Sequence, residues 1–173
     1  MQRRSFADME CPMARSLEQV GDGWSLLILR DALLGARRFQ EFQQGLCMAP
    51  NTLARRLGLL TEQGLLSRQR YAERPPRERY ELTQKGRELA PVLLALSTWG
   101  NRGLAPEGAP LECVDPSTGA LVEPIVVDKH TLRPLSAGSV ALRAGAGASR
   151  KLRRSLPGQV LFGTRGGAGS GEP

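Results

Sequence analysis

Between Ala49 and Tyr80 lie the side chains best equipped for chemistry: Asn51, Thr52, Arg55 and Arg56, followed by Arg68, Arg70, Arg74, Arg77 and Arg79. That chemistry is recognition. A carboxamide sets a donor beside an acceptor and pairs bidentately with adenine, and a guanidinium does the same with guanine or phosphate. Which of Arg55 and Arg56 reads a base and which holds phosphate is left open by the sequence. Arg37 and Arg38 precede a short helix, and its backbone N–H groups with these arginines are expected to clamp a phosphate. Arg74 and Arg77 flank a hairpin tip and are the first choices for groove or phosphate contact. The competing account of that hairpin is a solvated, charged edge that blocks aggregation.

These side chains need a frame, and the apolar spacing predicts one. A helix over Pro12–Val20 places Met13, Leu17 and Val20 on one face, with Pro12 at its first position. Gly21-Asp22-Gly23 breaks it, and Asp22 is placed to cap the next helix. Trp24–Leu34 is apolar nearly all round, predicting a buried central helix stopped by Gly35. A short helix over Arg38–Gly45 turns Phe39, Phe42 and Leu46 inward, and Cys47-Met48-Ala49 makes a turn. A helix over Pro50–Gln63 follows, with Leu53, Leu57 and Leu60 as its inner stripe and Asn51, Thr52, Arg55 and Arg56 on its outer face. Ala49 is a poor cap for it. Leu65–Tyr71 and Arg77–Leu82 read as strands around a tip, Ala72–Pro76. Thr83 then caps a helix from Gln84 to about Arg102, whose apolar face is Leu89, Val92, Leu93, Leu96 and Trp99. Pro91 is expected to kink or split it. An apolar face of that length calls for a partner surface, and a homodimer supplies one.

The 173 residues carry a net charge of +7, which favours a polyanionic partner. Nearly all the cations are arginine, with only Lys85, Lys129 and Lys151 as lysines, a bias that a GC-rich genome also produces. Cys11, Cys47 and Cys113 are odd in number and far apart, unlike a secreted disulfide framework. No apolar run is long enough to span a bilayer. The expectation is a soluble, cytoplasmic protein with no membrane contact. His130 is the lone histidine, and no C-x-x-C or H-x-x-x-H spacing occurs, so no metal and no cofactor is expected. No nucleophile elbow, phosphate loop or paired-acid motif appears, which argues against an enzyme. Cys11 precedes Pro12 at a helix start, where the dipole and Arg15 one turn on favour a thiolate. The plain alternative is a half-buried structural cysteine. Cys47 reads as packing.

The order helix, buried helix, short helix, turn, polar-faced helix, basic hairpin is a winged helix-turn-helix. Its residues resemble the HxlR-type transcriptional regulators, which are related to the MarR group. The stretches that carry the resemblance are Cys11-Pro12-Met13-Ala14, Gly23-Trp24-Ser25-Leu26-Leu27-Ile28-Leu29-Arg30, Arg38-Phe39-Gln40-Glu41-Phe42 and Pro50-Asn51-Thr52-Leu53-Ala54-Arg55-Arg56-Leu57. Glu62-Gln63-Gly64-Leu65, Tyr80-Glu81-Leu82-Thr83, Gly86 and Trp99-Gly100 follow in order. They cover about residues 10–102. Ala49 departs from the capping Ser or Thr usual there. The resemblance implies a bacterial, dimeric regulator on double-stranded DNA. Its operator would be an imperfect palindrome, read by a recognition helix in the major groove with the wing on backbone or minor groove. It also implies a pocket for an unknown small-molecule effector, and a redox-sensing role for a cysteine at the place of Cys11 in some members. The expected DNA contacts are Arg37, Arg38, Pro50, Asn51, Thr52, Arg55, Arg56, Arg68, Arg70, Arg74, Arg77 and Arg79. The alternative is a winged-helix protein-interaction module without DNA.

The expected fold class is mainly α with a small β wing, in three parts: a winged-helix DNA-binding and dimerisation domain over 1–103, an appendage over 104–140 and a tail over 141–173. Val114-Asp115-Pro116-Ser117-Thr118 recurs as Val127-Asp128-Lys129-His130-Thr131. Each Asp-x-x-Thr predicts a turn between short strands, giving a small metal-free β-ribbon. The tail is basic at Arg150–Arg154, then Gly-rich, and is expected to be flexible.

Overall fold

A computed structural model describes residues 5–73, 76–156 and 160–161. The element order is α1 (Pro12–Val20), α2 (Gly23–Leu33), α3 (Phe39–Leu46), α4 (Pro50–Glu62), β1 (Leu66–Glu73), β2 (Pro76–Leu82), α5 (Gln84–Arg87), α6 (Ala90–Leu104), β3 (Ala141–Leu142), α7 (Arg150–Ser155) and β4 (Val160–Leu161). The chain divides into two compact units, one up to Leu111 and one from Glu112. The first is a mostly helical winged helix-turn-helix, as the residue pattern predicts.

Its core gathers the stripes of several elements. Ile28, Leu29 and Ala32 of α2 and Phe42 of α3 are fully buried with Leu53, Leu57 and Leu60 of α4. Leu65, Leu66, Tyr80 and Leu82 close the core from the wing, and the rings of Phe42 and Tyr80 meet edge-on at 6.4 Å. Each buried Leu, Ile or Phe contributes about 1.5–3 kcal/mol, so this cluster holds α4 firmly. Two local expectations need correction here. α2 is not buried all round: Trp24 and Leu33 stay exposed, as does its C-cap Leu34. Phe39 is only partly buried, because it opens α3 beside the wing.

Caps set the helix ends. Asp22 Oδ1 accepts the Ser25 N–H at 3.0 Å and starts α2. Gly35, at φ +109°, turns the chain after it, and Arg37 Nη1 donates to the carbonyls of Ala32 (2.6 Å) and Ala36 (3.0 Å). Ala49 offers no side-chain cap to α4, which begins on Pro50. The predicted long helix after the wing is two helices. Thr83 Oγ1 accepts the Gly86 N–H to open α5, and α6 starts afresh with Pro91 in its first turn, where a missing N–H costs nothing.

β1 and β2 pair antiparallel from Leu66↔Leu82 to Glu73↔Pro76. The pairing therefore runs past Tyr71, into the stretch that the prolines mark as a tip. A bulge between Arg70 and Ala72 takes up Tyr71. The Tyr80 N–H donates to the Arg37 carbonyl at 2.7 Å and Arg38 bridges Arg79, tying the wing to the start of α3.

In the second unit the sequence repeat is a structural repeat. Asp115 Oδ1 accepts the N–H groups of Ser117 and Thr118, and Asp128 Oδ1 those of His130 and Thr131. The bridges Val114↔Leu121 and Val127↔Pro134 close the two turns. Gly119 and Leu132 take the same left-handed position in each, at φ +71° and +57°. The Ser117 hydroxyl and then backbone N–H groups hold Asp115 below the usual carboxylate range; the Thr131 N–H leads the same effect on Asp128. The Gly-rich stretch over 163–173 lies outside the described residues.

Candidate nucleic-acid interface

α4 presents two unlike sides. Leu53, Leu57 and Leu60 are sealed in the core, while Asn51 and Arg55 are exposed and Thr52 is half-exposed between them. With about 100° of turn per residue, Arg55 falls about 160° round from Leu53, but Arg56 only about 60°. Arg56 is therefore not on the outer face with Asn51, Thr52 and Arg55. Its Nη1 lies 3.0 Å from Asp22 Oδ2, and the paired side chains keep 18% and 15% of their surface. Asp22 is the residue that sequence reasoning took only as a cap. The signal for more was a lone carboxylate in Gly21-Asp22-Gly23, facing an arginine on the border of an apolar stripe.

The start of α3 also departs from expectation. Glu41 Oε2 accepts the N–H groups of Arg37 (2.7 Å) and Arg38 (2.9 Å), so these amides are already engaged. Those two bonds, Arg37's first, hold the Glu41 carboxyl below its ordinary range. Arg37 is spent on the carbonyls that end α2. Arg38 remains at the surface, its guanidinium 5.7 Å from the Tyr71 ring centre and 3.9 Å from Glu41.

The wing arginines sort by partner. Arg68 lies 3.5 Å from Glu78, and Arg79 binds Glu81 at 3.1 Å and Gln69 at 2.8 Å. Arg70 and Arg77 are exposed and pair with no carboxylate among the described residues, and Arg55 of α4 is alike. Arg68 and Arg70 sit opposite Tyr80 and Glu78, on the ribbon face that continues from the buried Leu66 and Leu82. Burial, reinforced by Glu78, pushes the Tyr80 phenol up, against the opposing pull of Arg68. Arg38, Phe39, Gln40, Tyr71, Arg77 and Glu78 line one open groove between α3 and the wing. Arg74 lies outside the described residues. Strand alternation alone puts Glu81 beside Arg79, whereas the Arg68–Glu78 and Arg79–Gln69 contacts cross between strands and depend on register.

A polar-faced helix stands beside a basic ribbon in this chain. The sequence profile of the HxlR-like helix-turn-helix proteins matches residues 19–107. The chain belongs to this family. Rv3095 of Mycobacterium tuberculosis, an HTH-type transcriptional regulator by name, is 37% identical over 144 residues, covering 83% of this chain and 91% of its own. Among solved structures, the candidate transcription factor PA1607 superposes with a TM-score of 0.73 at 39% identity, covering 83% of this chain and 99% of its own. PA1374 of Pseudomonas aeruginosa gives 0.63 at 44% identity, covering 84% and 100%. The redox regulator HypR in its oxidised form gives 0.50 at 30% identity, covering 53% and 96%. The chain is thus a member of a family of helix-turn-helix transcriptional regulators. No helix of the described residues is long and apolar enough to cross a membrane, and no group of three potential metal ligands forms among them.

The cysteines stand differently from expectation. Cys11 is exposed at the N-cap of α1, not half-buried. Cys47 is exposed as well. It takes the left-handed position that ends α3, at φ +50°, with its Sγ 3.7 Å from the Gln44 carbonyl, so it does not pack.

Proposed function

We propose that the chain is a dimeric, sequence-specific DNA-binding regulator. α4 enters the major groove and the wing lies on the backbone or in the minor groove of the flanking duplex. The observation that carries this reading is the exposed Asn51–Arg55 side of α4, set against a fully buried Leu53, Leu57 and Leu60. The first turn of such a helix is the part that reaches base edges. Asn51 suits adenine and Arg55 guanine or phosphate, with Thr52 between them. Pro50 and the uncapped start of α4 leave room for a phosphate at the positive end of the helix. Arg38, Arg70 and Arg77 supply backbone contacts, with Arg68 and Arg79 entering only after exchanging their carboxylate partners.

The dimer rests on a second observation. Val92, Leu96, Trp99 and Leu104 of α6 and Met13 and Leu17 of α1 are all exposed in one chain, and Trp99 keeps 63% of its surface. Val92, Leu96 and Trp99 fall within about 60° of one another around α6, and an exposed apolar stripe of this kind is suited to burial by a second copy. A two-fold protein reads a two-fold site, hence an imperfectly palindromic operator.

A gel shift with DNA from upstream of the chain's own gene and its neighbours tests the reading. A retarded band that survives excess random duplex is expected, and Asn51→Ala erodes that preference. Equal competition by random duplex would reject sequence-specific binding.

Cys11 supports a further element, a response to oxidants, since its thiol is exposed at a helix start and HypR is a redox regulator. Mild peroxide is expected to oxidise Cys11 and alter DNA affinity, with Cys11→Ser insensitive in both respects. Mass spectrometry that finds Cys11 unmodified while affinity changes would rule it out as the sensor.

A further inference from the structure

We infer that Arg56 is a positioning residue: through Asp22 it fixes the pose of the recognition helix, and it does not itself contact the duplex. The inference rests on the DNA-binding reading above. Asp22 is held from three directions. Its Oδ1 accepts the Ser25 N–H at 3.0 Å; its Oδ2 accepts the Ser25 hydroxyl at 2.6 Å and Arg56 Nη1 at 3.0 Å. Ser25 is itself buried. Arg56 Nε is buried too and meets no acceptor among the described residues, so that edge of the guanidinium is closed to a phosphate. Leu53 and Leu57 flank Arg56 in fully buried positions. α4 therefore cannot roll without drawing the guanidinium away from Asp22.

The consequence is geometric. Asn51, Thr52 and Arg55 ride on the helix that Arg56 ties to the first turn of α2. Asp22 sits in the two-residue joint between α1 and α2, and α1 carries the exposed Met13 and Leu17 of the proposed dimer face. A two-fold reader needs its two recognition helices at a fixed separation and tilt. A loosened Arg56–Asp22 pair spoils that match on the operator more than on random DNA, where phosphate attraction tolerates a change of pose.

Fluorescence anisotropy on labelled operator and random duplexes, over a range of salt, tests this. The variants are Arg56→Gln, Arg56→Lys, Asp22→Asn, the double Asp22→Asn/Arg56→Gln, and Arg55→Gln as the contact control. Asn is itself a good helix cap, so Asp22→Asn removes charge while keeping the start of α2. Arg56→Gln and Asp22→Asn are each expected to lower operator affinity about tenfold, and the double variant no further. Their salt slopes stay at the wild-type value and Arg56→Lys recovers part of the loss. Arg55→Gln alone flattens the slope, by about 0.9. The inference is overturned if Arg56→Gln flattens the slope as Arg55→Gln does while Asp22→Asn binds like the wild type. Amide exchange in the free protein is an arm that needs no DNA. Both single variants are expected to speed exchange of the same α4 amides, and unchanged α4 exchange in both overturns the inference. A wild-type chain that binds neither duplex refutes the DNA-binding reading instead, with the exchange arm still deciding what the pair does to α4.

Discussion

Gly86 and Leu65 are in backbone contact: a β-carbon at residue 86 would fall well inside van der Waals contact distance of the Leu65 carbonyl oxygen and 2.9 Å from Leu82 Cδ2. The same carbonyl accepts the Thr83 N–H at 3.1 Å, so it is not free to move aside. This contact locks α5 onto the base of the wing. Gly86→Ala is expected to destabilise the chain by about 2–3 kcal/mol. Gly58→Ala, at a helical site with nothing within 4 Å, is expected to stabilise it by about 0.5–1 kcal/mol. Urea unfolding of both variants checks the pair, and a neutral Gly86→Ala contradicts it.

Glu41 gives the start of α3 a pH dependence. Its carboxyl is held below the ordinary value of 4.5 by the Arg37 and Arg38 N–H groups, so the charged form is favoured in the folded state. That contribution is complete above the ordinary value and fades as pH falls through the lowered one. Glu41 is exposed, so the effect stays within about 1 kcal/mol. The stability gap between the wild type and Glu41→Gln is expected to be present at pH 7 and to close in acid. Denaturant curves that keep the gap constant down to pH 3 would contradict this.

The apolar face of α6 predicts an assembly phenotype. Trp99→Glu is expected to shift the chain from dimer to monomer by light scattering and to weaken operator binding at least tenfold, since two half-sites are no longer held together. A dimer that survives both Trp99→Glu and Leu96→Glu places the interface elsewhere.

Arg77 and Arg79 are expected to differ although they are neighbours on one strand face. Arg79 is held by Glu81 and Gln69, whereas Arg77 is exposed with no carboxylate partner among the described residues. Arg77→Ala is expected to weaken binding to operator and random duplex alike by several-fold, and Arg79→Ala by less. Filter binding at fixed salt measures both, and a larger loss for Arg79→Ala contradicts the assignment.

Much of this architecture is legible in residue spacing. Leu53, Leu57 and Leu60 announce the buried side of α4, Asp22 announces the cap of α2, and Pro91 announces the break between α5 and α6. Each is a local signal, set by helix period, capping chemistry or a missing N–H. What spacing does not show is competition for partners across the fold. Arg56 borders the apolar stripe, and only the approach of α2 decides that it turns inward. Arg37 looks like a surface cation until the open carbonyls at the end of α2 claim it. The bulge at Tyr71 depends on register, and with it the face on which Arg38 and Tyr71 meet. The Asp115 and Asp128 turns are the opposite case: a faint sequence repeat whose backbone hydrogen bonds recur in both turns, with the Ser117 hydroxyl bond to Asp115 as an addition in the first.

The central claim is that this chain reads duplex DNA as a two-fold, charge-driven regulator, and one titration tests it most directly. Operator affinity is measured by anisotropy between low and moderate salt, with binding stoichiometry from the same protein and duplex. The account predicts two chains per duplex and a log–log salt slope of about −0.9 for each phosphate neutralised, with several neutralised by Arg38, Arg55, Arg70 and Arg77 and their counterparts in the second copy. A flat salt dependence, or saturation at one chain per duplex, would contradict it.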